Sequence, residues 1–121
     1  MSTAAKKACT MHVISHTHWD REWRYSFQQF RIMLVEMMDH MLTLLDEYPE
    51  YKCFHLDSQT IALDDYFEVK PEKRDAVRAR VSSGRLNIGP WYILPDPSAV
   101  SGESLVRNLL IGTTATRAPG G

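Results

Sequence analysis

The spacing of apolar residues divides the chain into alternating extended and helical segments. A first strand opens at Met11, and apolar residues at steps of three and four then predict an amphipathic helix over 26–48, which Pro49 ends. A second strand is expected over 51–59, because its apolar residues give way abruptly to polar ones, as at the point where a strand leaves a sheet. The first half of the chain therefore predicts a strand, a long helix and a second strand.

The second half of the chain continues this alternation. An apolar run over 61–67 predicts a helix, and a proline in the first turn with Gly84 as the stop predicts another over 71–83. A third strand is expected over 86–93, and Ser101 is a good N-cap for a final helix. The order β-α-β-α-α-β-α indicates an α/β fold in which the strands pair in parallel.

Composition and charge exclude several classes of function. The 121 residues carry 14 Lys and Arg against 15 Asp and Glu, so the chain has no basic stripe of the kind that binds nucleic acid. Apolar runs are far shorter than the roughly 18 residues of a membrane span. The two cysteines, Cys9 and Cys53, lie in no paired motif and are expected to be reduced thiols. We therefore expect a cytoplasmic protein without a membrane or nucleic-acid partner.

Histidine and aspartate alternate directly after the first apolar segment, at His16, His18 and Asp20. In an extended strand, side chains two residues apart point to the same face. Imidazole and carboxylate groups that converge on one point suit a divalent ion, above all zinc. Trp19 and Trp23 could supply flat apolar faces on which a ring stacks. The alternative is a solvated strand end in which one histidine packs into the core and no metal binds.

Polar residues also follow the other two predicted strands. Asp57 and Gln59 come at the end of the second strand, and Asp96 lies just beyond the third in a proline-rich loop. In parallel sheets and barrels, ligands bind beyond the carboxyl ends of the strands. We therefore expect these residues to lie on one rim with His18 and Asp20, which predicts a small-molecule site.

Three separated stretches carry a resemblance to a known family: HTHWDREW at 16–23, HLDSQT at 55–60 and IGPWYILPD at 88–96. Together they closely resemble the N-terminal catalytic domain of glycoside hydrolase family 38, the α-mannosidases. VSGESLVRNLL at 100–110 continues the match, so that the resemblance covers about 11–112. The chain is most similar to the bacterial, cytoplasmic branch of that family.

The resemblance implies a retaining exo-α-mannosidase that holds one zinc ion and acts on an α-mannoside or a mannose-containing oligosaccharide. It implies that His18 and Asp20 are metal ligands and that the sugar stacks on Trp23. His16 is expected to support the site rather than to bind the ion. Whether the ion is zinc or cobalt depends more on geometry and availability than on ligand type.

Retaining chemistry uses two carboxyl groups about 5 Å apart. In the family, the nucleophile, the acid and the remaining zinc-ligating histidine come after the last helix of this chain, so we expect no catalytic residue within it. Asp57 and Asp96 match neither carboxyl group and are predicted to contact the substrate or to fix loops. The implied fold is the first part of a glycoside hydrolase/deacetylase-type β/α barrel, incomplete with three strands, and the isolated chain is expected to be inactive.

The domain boundaries follow from the same match. Residues 1–10 are expected to be a disordered N-terminus, 11–112 the partial catalytic domain, and 113–121 a disordered tail outside the family. The abrupt change after Gly112 is typical of a frameshift, a truncated gene or a fragment. Two alternatives stay open: a non-catalytic remnant with a partial metal site, and a piece of another metal-dependent hydrolase such as a deacetylase.

Overall fold

The computed structural model describes residues 9–117, which form four α-helices around a small parallel sheet. The elements are α1 (Phe27–Glu47), β1 (Phe54–His55), α2 (Ile61–Val69), a 3₁₀ turn (Pro71–Lys73), α3 (Arg74–Ser82), β2 (Leu86–Asn87) and α4 (Gly102–Arg117). The expected disordered N-terminus falls mostly on residues 1–8, which lie outside the described residues. None of the helices in 9–117 is long and apolar enough to cross a membrane.

The long helix α1 follows the predicted pattern closely. It begins after Ser26, whose backbone N–H donates to the Gln29 side chain at 3.0 Å and so satisfies a donor at the helix start. Its buried face carries five residues at helical spacing: Leu34, Met38, Met41, Leu42 and Leu45. This face packs against α2 and supplies nearly half of the hydrophobic core.

The sheet confirms parallel pairing, and its strands are much shorter than the sequence predicts. Phe54 of β1 pairs with Leu86 of β2, and His55 pairs with Asn87. On the other side of β1, His16 forms a single parallel bridge with His55. The predicted first strand is otherwise not formed, and Met11 at its start is 85% exposed. Closure into a barrel stays a prediction.

The core lies between α1, α2, α3 and the sheet, and the buried Tyr66 within it makes a polar contact to α1. The Tyr66 hydroxyl donates to Asp39 Oδ1 at 2.6 Å. Burial, followed by this bond, raises the pKa of Tyr66, whereas the same bond lowers the pKa of Asp39. The contact ties α2 to α1 near the middle of the long helix.

The expected disordered tail is wrong for residues 113–117, which continue α4 to Arg117. Threonine hydroxyls in this last part bond back to carbonyls four residues earlier, for example Thr114 to Leu110 at 2.8 Å and Thr116 to Gly112 at 2.7 Å. The sequence composition there misled the prediction, because packing of the helix overrides the weak helix propensity of threonine. Residues 118–121 lie outside the described residues.

Packing of α4 depends on a close backbone approach at Gly112. A Cβ atom at this position would overlap the backbone between Pro90 and Tyr92. One turn earlier on α4, the Asn108 side chain accepts from the backbone N–H groups of Tyr92 and Ile93 at 2.9 and 3.0 Å. Helix α4 therefore holds the segment that follows β2 in a defined path.

We expect Gly112→Ala to lower the free energy of unfolding by about 1–3 kcal/mol, because the added methyl group forces α4 away from the Pro90–Tyr92 backbone. Alanine is a better helix former than glycine, so helix propensity alone predicts that the free energy of unfolding rises by about 1 kcal/mol. Urea denaturation followed by circular dichroism measures the difference. Gly102→Ala is the matched control on the same helix, since a Cβ there meets no atom within 4 Å. Equal effects of the two substitutions would contradict the packing described for Gly112.

Candidate functional site

The carboxyl end of β1 turns through two residues with left-handed backbone conformation. Asp57 and Ser58 have φ angles of 44° and 63°, in a region where aspartate is found more often than most side chains. The Ser58 carbonyl accepts from the Trp91 N–H at 2.9 Å, which ties the turn to the segment after β2. This turn brings the Asp57 carboxylate to the histidines of the neighbouring segment.

Asp57 and His18 form the central contact of the site. The two atoms His18 Nδ1 and Asp57 Oδ2 lie 2.7 Å apart. The opposite ring nitrogen, His18 Nε2, lies 3.6 Å from Asp20 Oδ1. The second oxygen of Asp57 lies 3.7 Å from His16 Nδ1. The structure therefore brings three of the predicted site residues together, His18, Asp20 and Asp57, with His16 beside them.

The donor pair has a geometry that fits a zinc ion. Ligand bonds of about 2.0–2.2 Å in a tetrahedron put two donor atoms roughly 3.4 Å apart, close to the 3.6 Å between His18 Nε2 and Asp20 Oδ1. A carboxylate on the other nitrogen of a ligating histidine is also the usual arrangement. Within residues 9–117, however, no three His, Cys, Asp or Glu side chains form a group that could hold an ion. The described part of the chain thus offers two donors.

Gln59 anchors the loop that carries His18 and Asp20. This side chain is 2% exposed, and its Nε2 donates to the Trp19 carbonyl at 2.9 Å. The Trp19 indole packs on the core and meets the Phe30 ring edge-on, with centroids 6.0 Å apart. Trp19 is therefore a structural residue, whereas Trp23 stays exposed over 70% of its surface.

A second anchor joins the same loop to α2. Arg21 donates through Nε and Nη2 to the two oxygens of Asp65 at 2.8 and 2.9 Å. Asp65 is only 3% exposed, and the bond to it raises the pKa of Arg21. The guanidinium also lies 4.5 Å above the Phe27 ring. Arg21 thus holds the loop against both α1 and α2.

A cavity of about 320 Å³ opens beside the donor pair. Residues of the loop and of two neighbouring segments line it: His18, Trp19, Asp20, Arg21, Glu22, Gln59, Ile93 and Leu94. Asp57, which contacts His18 Nδ1, does not line this cavity, and neither does Trp23 or Asp96. The Asp96 carboxylate accepts from the Ser98 hydroxyl and N–H, and these bonds lower the pKa of Asp96. The structure therefore gives Asp96 a role in fixing its own loop.

Residues 8–119 match the model of the glycosyl hydrolases family 38 N-terminal domain. The chain belongs to this family. The match confirms the resemblance drawn from the sequence, and it extends past residue 112 to include the part that the sequence analysis assigned to a tail outside the family. It also decides against the alternative of a deacetylase.

Relatives within family 38 agree with this assignment. The chain is 50% identical over 107 residues to a protein of Halalkalibacterium halodurans named "Putative mannosylglycerate hydrolase", and it covers 12% of that protein and 88% of itself. It is 29% identical over 101 residues to an alpha-mannosidase of Saccharomyces cerevisiae. That match covers 82% of this chain and 9% of the yeast protein. The chain thus spans about an eighth of the length of the bacterial relative and a smaller share of the length of the yeast protein.

A solved structure gives the same result for the fold. The crystal structure of an alpha-mannosidase from Enterococcus faecalis V583 superimposes with a TM-score of 0.85 at 48% sequence identity. The match covers 89% of this chain and 12% of that protein. The α/β arrangement described above is therefore similar to part of a family 38 enzyme.

The sequence prediction missed the two contacts that anchor the loop carrying His18 and Asp20, which are Arg21 with Asp65 and Gln59 with Trp19. Both join residues about 40 positions apart. A signal existed for the first anchor alone, in the two aspartates, Asp64 and Asp65, that interrupt the apolar helical run. A buried acidic residue of this kind indicates a cationic partner elsewhere in the chain.

We expect Arg21→Lys to lower the free energy of unfolding by about 1–3 kcal/mol, because lysine cannot form the two-pronged contact and leaves one oxygen of buried Asp65 without its donor. Arg107→Lys is the matched control, since Arg107 pairs with Glu103 on an exposed face of α4. We expect Arg107→Lys to lower the free energy of unfolding by less than about 0.5 kcal/mol. Chemical denaturation of both variants makes the comparison, and a loss at Arg107 as large as that at Arg21 would refute the anchoring role.

Proposed function

We propose that this chain forms the metal-holding and sugar-facing part of a retaining, zinc-dependent exo-α-mannosidase that hydrolyses terminal α-mannosyl residues. The observation that carries the proposal is the pair His18 Nε2 and Asp20 Oδ1, 3.6 Å apart at the mouth of a cavity. The family and the names of the relatives in it support a mannose-containing substrate. The substrate is accordingly an α-mannoside or a mannose-containing oligosaccharide.

The roles of the chain's residues follow from their positions. His18 and Asp20 bind the ion, which when bound supplies positive charge that holds vicinal hydroxyl groups of the sugar. Trp23 offers an exposed indole three residues beyond Asp20, and an exposed aromatic face suits stacking of a sugar ring. Asp96 Oδ1 is engaged by Ser98, which leaves Oδ2 as the oxygen proposed to accept from a sugar hydroxyl.

The proposed location is the cytoplasm. Cys9 and Cys53 are both free thiols, with Cys9 exposed. Exposed thiols persist in reducing compartments, whereas oxidising ones favour disulfides. This agrees with the resemblance to the bacterial, cytoplasmic branch.

We expect the purified chain to bind one zinc ion weakly, and His18→Ala or Asp20→Ala to weaken that binding at least about tenfold, because each removes one of two protein donors. Competition against a chromophoric chelator measures the dissociation constant. His40→Ala on α1 is the control, because His40 lies on the long helix away from the loop. Zinc affinity that is unchanged in both site variants, or that falls equally in His40→Ala, would overturn the metal assignment.

We expect no release of aryl alcohol when the chain is incubated with an activated aryl α-mannoside and zinc, because the family's nucleophile and acid are expected beyond the last helix of this chain. The assay is run with wild-type chain and with His18→Ala, followed by absorbance. Zinc-dependent release that disappears in His18→Ala would show that the chain itself carries a complete catalytic site.

A further inference from the structure

The Asp57 carboxylate faces two imidazole rings from the carboxyl end of β1. Its Oδ2 lies 2.7 Å from His18 Nδ1, and its Oδ1 lies 3.7 Å from His16 Nδ1. About three quarters of the Asp57 side chain is covered, whereas both histidine side chains are more than half exposed. Both carboxylate oxygens therefore face imidazole nitrogens, and most of the carboxylate side chain is shielded from solvent.

This contact favours one tautomer of His18. A carboxylate accepts hydrogen bonds and donates none, so a neutral His18 carries its proton on Nδ1 when Asp57 lies 2.7 Å away. The lone pair of Nε2, the atom that lies 3.6 Å from Asp20 Oδ1, is then free. With the proton on Nε2 instead, the ring could offer no electron pair to an ion beside Asp20.

We propose that Asp57 is a positioning residue that sets the tautomer and the orientation of His18, rather than a residue that contacts the sugar, and this proposal rests on the proposed zinc site. Both of its oxygens face histidine nitrogens, and Asp57 is absent from the lining of the cavity beside His18. This role is an alternative to the two expected from the sequence, which were contact with the substrate and fixing of a loop. His16 acts through Asp57, since it faces the oxygen that His18 leaves free.

The backbone at Asp57 supports the assignment and guides the choice of variants. A φ angle of 44° is strained for most side chains but is tolerated by asparagine and by glycine. Asp57→Asn keeps the size and removes the charge, whereas Asp57→Gly removes the group that holds the ring. Neither substitution introduces a side chain that resists the left-handed turn. Asp75→Asn on α3 is the control, because Asp75 is almost fully exposed and its partner is Arg78 on the same helix.

The test is long-range ¹H–¹⁵N correlation NMR of the imidazole rings in the metal-free chain, in mildly alkaline solution where histidine is neutral. We expect wild type and Asp75→Asn to carry the His18 proton mainly on Nδ1. The ratio of the Nδ1–H to the Nε2–H form should fall about three- to tenfold in Asp57→Asn and Asp57→Gly, since the pair is partly exposed to water. Amide spectra of each variant establish that the fold is retained.

Zinc binding gives a second readout with separate outcomes. We expect the dissociation constant to rise about 10- to 100-fold in both Asp57 variants and to stay unchanged in Asp75→Asn. A wild-type His18 that carries its proton on Nε2, or a tautomer ratio that does not change in the Asp57 variants, would overturn the positioning role. A chain that binds no zinc while the tautomer depends on Asp57 would overturn the zinc site and, with it, the positioning of His18 for a metal.

Discussion

Two residues of backbone, Phe54 and His55, join the segments that carry the polar side chains. His55 accepts from the Thr17 N–H and donates to the Ser15 carbonyl, while Phe54 donates to the Arg85 carbonyl on the opposite side. The segment before the first helix, β1 and β2 thereby lie side by side in parallel. Everything at the carboxyl end of the sheet, including the contact between His18 and Asp57, depends on this central pairing.

The helices and the direction of strand pairing could be predicted from the sequence because they follow from local signals. Helix α1 over Phe27–Glu47 differs from the prediction by one residue at each end, since a capping residue and a proline mark its bounds. The lengths of the strands were overestimated, because an extended segment forms a strand only where a neighbouring segment pairs with its backbone, and within 9–117 that pairing is limited to a few residues. The length of helix α4 was underestimated, because its threonine-rich end depends on the close approach of Gly112 to the Pro90–Tyr92 backbone, which composition does not reveal.

The residues that lie together at the site could be predicted from the sequence, whereas the turn and loop geometry around them could not. The alternation of His16, His18 and Asp20 placed the histidines beside one another, and the rim argument brought Asp57 to them correctly. The sequence pattern does not reveal the two consecutive left-handed residues, Asp57 and Ser58, whose turn brings the Asp57 carboxylate to His18. At Asp96, Ser98 two residues later engages one carboxylate oxygen, which agrees with the predicted loop-fixing role, and the contact with a substrate stays a prediction.

The two anchors on the loop determine which part of it is able to move. Trp19 is fixed by Gln59 and by the core, and Arg21 is fixed by Asp65, so the backbone through these positions behaves as a rigid support. Trp23 lies just beyond the second anchor and before α1. Any movement of the Trp23 side chain and of the few backbone bonds on either side of it therefore leaves the spacing between His18 and Asp20 unaltered.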